Sequence, residues 1–116
     1  MLKRAMVRTN TIQKERIYIS GGISRDRNYK EKFKEAHFYL LGKYDCIVIN
    51  PVHLANRVEN TMQFPQWHDY MRECIHWLTR CNKVYMLKGW WKSRGAKIEW
   101  LLAKLLRLDI IYQRGK

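Results

Sequence analysis

KGWWKSRGAKIEWLLAKLL, residues 88–106, reads as the exit of a strand, a short loop and then a helix. Ser93 is placed to cap that helix, because its hydroxyl oxygen can accept from an orphan N–H of the first turn. Gly95 lets the backbone come close to a ligand. Ile98, Leu101, Leu102 and Leu105 recur at i, i+3, i+4 and i+7, which predicts one apolar helix face. Glu99 falls in the early turns of this helix, beside a tryptophan-rich loop. Such a carboxylate has two readings. It is an acid drawn to the positive end of a helix, or a reactive group held at the mouth of a sheet.

The flanks supply strands: residues 83–87 (KVYML) before and 109–112 (DIIY) after. Residues 16–20 (RIYIS) alternate and are β-rich, a first strand. Gly21 and Gly22 end it, a pair that permits positive φ and brings backbone N–H groups near a ligand. Tyr18 lies near the carboxyl end of this strand, and its alternation with Ile17 and Ile19 leaves its direction open. Tyr29, Phe33, Ala36 and Leu40 predict a helix, with Gly42 as its stop. Residues 45–50 (DCIVIN) are a nearly continuous apolar run, the mark of a strand buried on both faces. Pro51 ends it. Residues 52–66 are polar and irregular, a loop long enough to suggest a function. Trp67, Met71, Cys74 and Leu78, with Ile75 beside them, trace another helix face.

This alternation of strand and helix, with short connections, predicts a three-layer flavodoxin-like α/β domain with a four-stranded parallel sheet. The domain covers residues 16–116, after a basic arm at 1–15. Ligands in such folds bind beyond the carboxyl ends of the strands. Three loops should converge there. They contribute Ser20, Gly21, Gly22 and Ile23, then Asn50 and Pro51, then Trp90, Ser93, Arg94 and Gly95. Trp90 and Trp91 offer flat surfaces for a base. The helix start with Arg94 suits a phosphate, and a carboxylate stands near the sugar. A nucleotide fits this set.

A net charge of +13 attracts polyanions such as nucleic acid, free nucleotides or an acidic protein, or only keeps the chain soluble. With 47% hydrophobic residues, disorder throughout is not expected. No apolar run approaches the ~18 residues of a membrane span, and the first residues lack a secretory signal. Cys46, Cys74 and Cys81 are odd in number and without CxxC spacing, which argues against disulfides or zinc and fits a reducing cytosol. His37, His53, His68 and His76 show no metal spacing, so no metal or organic cofactor is expected.

YISGGI, WHDYMRECIHWLTRCNKVYMLKGWW and SRGAKIEWLLAKLLRLDIIY together resemble a small, largely phage-borne domain-of-unknown-function family, DUF4406. That family is related to the nucleoside 2-deoxyribosyltransferases and the deoxynucleoside monophosphate N-glycosidases. The resemblance implies that Glu99 is a nucleophile attacking the anomeric carbon of a deoxynucleoside or deoxynucleotide. It implies that Tyr18 orients Glu99, that Ser20, Gly21 and Gly22 lie near the 5′ end of the sugar, and that Ser93 contacts a phosphate. It also implies a homo-oligomer, at least a dimer, and a cytoplasmic protein, in the host cytoplasm if phage-encoded. One departure stands out. Cys74 occupies the place of an aspartate that helps protonate the departing base. A thiol carries no carboxylate charge, and neither Glu73 nor Asp69 replaces it cleanly. Cys74 is either core filler or the mark of a slow or inactive relative that binds nucleotide or nucleic acid.

Overall fold

The structure, a computed structural model, describes residues 14–23 and 28–114. Residues 1–13 of the expected arm lie outside the described residues. Along the chain run β1 (Glu15–Ser20), α1 (Tyr29–Lys43), β2 (Cys46–Ile49), α2 (Pro51–Thr61), α3 (Trp67–Leu78), β3 (Lys83–Met86), α4 (Arg94–Leu105) and β4 (Asp109–Tyr112). All strand pairs are parallel and their order is β2-β1-β3-β4. This is the flavodoxin-like three-layer fold. Strand order reverses between β1 and β3, and a crevice opens at the carboxyl ends of strands where that happens.

The two-residue period of β1 sorts its side chains between the layers. Ile17 and Ile19 enter a core with Phe33, Ala36 and Leu40 of α1. Tyr18 enters the opposite core, with Leu54 of α2, Cys74 and Leu78 of α3, and Ala96 and Ala103 of α4. Ser20, two residues on, follows Tyr18 and is fully buried.

Four expectations change. Residues 51–61 form α2 and not part of a loop. Pro51 ends β2 and also begins α2, because proline at the first helical position loses only an N–H that has no helical partner. Asn50 caps the helix, its side-chain oxygen accepting from the Val52 N–H at 3.0 Å. The buried positions are Pro51, Leu54 and Val58, spaced along one helix face. Second, β2 is an edge strand, not one buried on both faces, and Ile47 is 45% exposed. Its position in the sheet, not its composition, sets that exposure. Third, α1 runs through Gly42 and ends at Lys43.

The fourth change concerns α4. Leu101 and Leu105, expected on the core face, are 52% and 69% exposed. The buried positions are Ala96, Glu99 and Ala103. At about 100° per residue these three lie within one narrow stripe. Small side chains let the helix press close to the sheet, and Glu99 is carried inward between them. Enlarging Ala103 to Leu is therefore expected to cost about 1–3 kcal/mol by overpacking, whereas Leu105→Lys stays within about 0.5 kcal/mol. Urea unfolding of the two variants checks the orientation of α4, and equal losses would contradict it.

Candidate active site

β1 and α4 together build the centre of the site. The Tyr18 hydroxyl donates to Glu99 Oε2 and the Ser20 hydroxyl donates to Glu99 Oε1, each at 2.7 Å. The two donors come from one face of one strand, and the acceptor from the buried stripe of the helix laid across it. Glu99 is 4% exposed and Tyr18 fully buried. Burial pushes the Glu99 carboxyl up to about 7, against the pull of the two hydrogen bonds, which favour the ionised form. Tyr18 is raised well above its ordinary value, first by burial and then by the neighbouring carboxylate, so it remains a donor at neutral pH.

Cys74 of α3 lies beside the same pair. Burial and the Glu99 charge push its thiol up to about 12. It is therefore a neutral group at any ordinary pH. Glu73 turns elsewhere, accepting from Trp77 Nε1 at 3.1 Å and facing Arg57 at 3.8 Å. Asp69 accepts from the Gln66 N–H at 2.8 Å at the start of α3. Neither acid is directed at Glu99.

The loop after β1 passes close to the loop after β3. The Leu87 N–H donates to the Ser20 carbonyl at 2.8 Å. A Cβ on Gly21 would fall 2.7 Å from Leu87 Cδ1, so Gly21 is small for clearance. The positive φ that the Gly21–Gly22 pair permits is not used; among the described glycines only Gly89 has it, at +80°. A Cβ on Gly22 would meet Ser93 Cβ at 3.5 Å, which sets this loop against the start of α4. Ser93 caps α4 by accepting from the Ala96 N–H at 3.1 Å.

Other expected site residues are drawn into packing. Asn50 caps α2, and its amide nitrogen lies 3.1 Å from His37 Nδ1. Pro51 is buried at the same helix start. Ile23 packs on the α1 side of the sheet, away from Glu99. Trp90 stacks on Trp100 with ring centres 5.4 Å apart, and Trp91 is left 56% exposed. Gly95 clears Met71, whose sulfur would stand 3.1 Å from an added Cβ. The Arg94 guanidinium lies 4.0 Å over the Trp67 ring. Sequence reasoning missed Trp67 and Met71 as neighbours of this edge. The available signal was position: both sit in the first turns of a helix that, like α4, starts at the carboxyl end of the sheet.

Two surface concavities, of about 520 and 430 Å³, lie elsewhere. One is between α2 and α3 beside Arg57 and Trp77, and the other is between α1 and β4 beside Tyr39 and Tyr85. Among the described residues no group of three or more His, Cys, Asp or Glu side chains is arranged to hold a metal ion, and no helix is long and apolar enough to cross a membrane.

The DUF4406 family model, described as a domain of unknown function, matches residues 15–112. The chain belongs to that family. In this DUF4406 chain the match spans every strand and helix, and it ends on the last residue of β4. A comparison with curated proteins finds no match.

The buried carboxyl makes stability depend on pH. Glu99 titrates near 7 when folded and near 4.5 when exposed. Between those values the folded chain holds a proton that the unfolded chain releases. The stabilisation is complete below about pH 4.5 and is lost as pH rises through 7, by up to about 3 kcal/mol. Glu99→Gln keeps the shape and removes the titration. Denaturant unfolding at pH 5 and pH 8 should show wild type losing stability relative to Glu99→Gln across that interval. A constant difference would mean that Glu99 is not buried as described.

Proposed function

We propose that this chain is an enzyme of the N-glycosidic bond, related to the nucleoside 2-deoxyribosyltransferases and deoxynucleoside monophosphate N-glycosidases of phage-type families. One observation carries the reading. A buried glutamate has both carboxylate oxygens fixed by hydroxyls from a single strand, at the sheet edge where strand order reverses. A carboxylate so oriented is fit to attack an anomeric carbon, with its attacking lone pair aimed by the bonds to the other lone pairs. The base leaves, a glycosyl ester forms on Glu99, and a second base or water resolves it, with retention at the sugar carbon. Tyr18 and Ser20 hold the nucleophile. The capped start of α4, with Ser93 and Arg94, is suited to a 5′-phosphate. Trp91 and Trp67 flank that edge as surfaces for a base. Exposed Leu101 and Leu105 offer an apolar strip for a second copy, in line with the expected homo-oligomer.

A second reading, a slow or inactive relative that binds nucleotide or nucleic acid in the same place, is favoured by two observations. Glu99 keeps only 4% of its surface, and the position beside it holds a thiol. The surface agrees with such a role. Lys88, Lys92, Arg94, Lys97, Lys104 and Arg107 surround a stretch whose one acid, Glu99, is buried.

Base release from deoxynucleosides and their monophosphates, followed by chromatography, separates the two. Expected are a loss of about 10³-fold or more in Glu99→Gln and about 10–100-fold in Tyr18→Phe, the worth of one hydrogen bond to a charged group. Because the nucleophile must be ionised, kcat/KM should rise with pH up to about 7 and level above it. Tight nucleotide binding with no Glu99-dependent release would establish the second reading.

A further inference from the structure

Among the described residues Glu99 is a buried carboxylate without a countercharge: the hydroxyls of Ser20 and Tyr18 meet its two oxygens, and no described lysine or arginine does. Arg94, the cation at the start of the same helix, is laid on Trp67. In a chain of net charge +13, an unpaired buried anion is the exception, since a lone buried charge is costly unless a partner arrives.

Among the described residues the groups next to Glu99 are also poor acids: a phenol, an alcohol and a thiol. Breaking the bond from a sugar to a neutral base normally needs a proton on the departing nitrogen. Glu99 cannot supply it, because it must be ionised to attack in the same step. Among the described residues every other carboxyl and imidazole is placed elsewhere. Glu31 and Glu35 are exposed on α1; Glu15, Asp45 and Asp109 sit at the amino ends of strands; Glu59, Asp69 and Glu73 lie along α2 and α3. His37 and His53 meet between α1 and α2, His68 is beside Asp69, and His76 is beside Arg80.

We infer that this site takes cationic N-glycosides, nucleotides whose base already carries a positive charge, such as N7-alkylated purines or N-linked pyridinium rings. The inference rests on the reading of Glu99 as nucleophile. Such a substrate brings the missing countercharge and favours the ionised carboxylate that attacks. Its base also needs no acid. The C1′–N bond breaks, its electron pair stays on nitrogen and neutralises the ring, and a C1′–O bond forms to Glu99. Water then displaces Glu99 at C1′. One of its protons goes to bulk solvent, the other stays on the anomeric hydroxyl, and the carboxylate is restored. The sum is cationic nucleotide plus water to neutral base, sugar phosphate and a proton.

A matched pair tests this: 7-methyl-2′-deoxyguanosine 5′-monophosphate against 2′-deoxyguanosine 5′-monophosphate, with 2′-deoxynicotinamide mononucleotide as a third substrate. The expected result is a ratio of kcat/KM, methylated over unmethylated, at least as large as the ratio of the spontaneous rates, with all enzymatic release lost in Glu99→Gln. The third substrate tells a purine site from a pyridinium site. An enzymatic ratio about 10²-fold or more below the spontaneous one means that the site protonates neutral bases, and overturns the inference while leaving Glu99 as nucleophile. No Glu99-dependent release from any of the three overturns both. Cys74→Asp gives a second measurement. It should raise the ratio of the unmethylated to the methylated rate by about 10²-fold or more, and an unchanged ratio counts against the inference. Should this variant fail to fold, the wild-type ratio alone decides.

Discussion

A carboxylate held between two hydroxyls in the interior is the constraint on which this fold turns. Burying an ionisable acid costs several kcal/mol unless its oxygens are matched. Tyr18 and Ser20 match both oxygens of Glu99 at 2.7 Å. Neither hydroxyl does so by accident of a loop. They stand at alternate positions of a central strand, on the face that α4 covers, and α4 approaches that face on Ala96 and Ala103. A bulkier pair would hold the helix away and break both bonds together.

Everything near the carboxyl edge of the sheet adjusts to that approach. Gly21 gives room to Leu87 where β1 and β3 leave the sheet side by side. Gly95 gives room to Met71 where α3 and α4 begin. The tryptophans divide the remaining work. Trp90 and Trp100 stack, and Trp100 donates to the Tyr112 hydroxyl at 2.9 Å, tying α4 to the edge strand β4. Trp67 carries Arg94. At the same edge Glu99 keeps 4% of its surface, and burial holds its carboxyl near neutrality.

The helical layers are uneven, and that shapes the outer surface. Among the described residues α1 covers one face of the sheet, with Val52 of α2 packed beside it, and α2, α3 and α4 crowd the other. On the crowded side α4 leaves Leu101 and Leu105 in solvent, packs Leu102 against the core and buries its alanines.

Secondary structure was readable where apolar spacing ran between clear turn and cap residues. All four strands, α1, α3 and α4 were legible from spacing and turn residues alone, and parallel pairing followed from their alternation. α2 was not, because Pro51 reads as a stop as readily as a start, although Leu54 and Val58 stand at helical spacing and are buried. Glu99, Tyr18 and Ser20 were nameable as candidates from sequence and resemblance, but their meeting was not. Alternation says that Tyr18 and Ser20 share a face; it does not say which layer that face meets. Hydrophobicity ranks leucine above alanine and so turns α4 the wrong way, outward for Glu99's neighbours. Only packing decided the matter, because the helix nearest a sheet is set by how closely its backbone can approach, and two alanines flanking an acid allow what four bulky aliphatic residues would prevent.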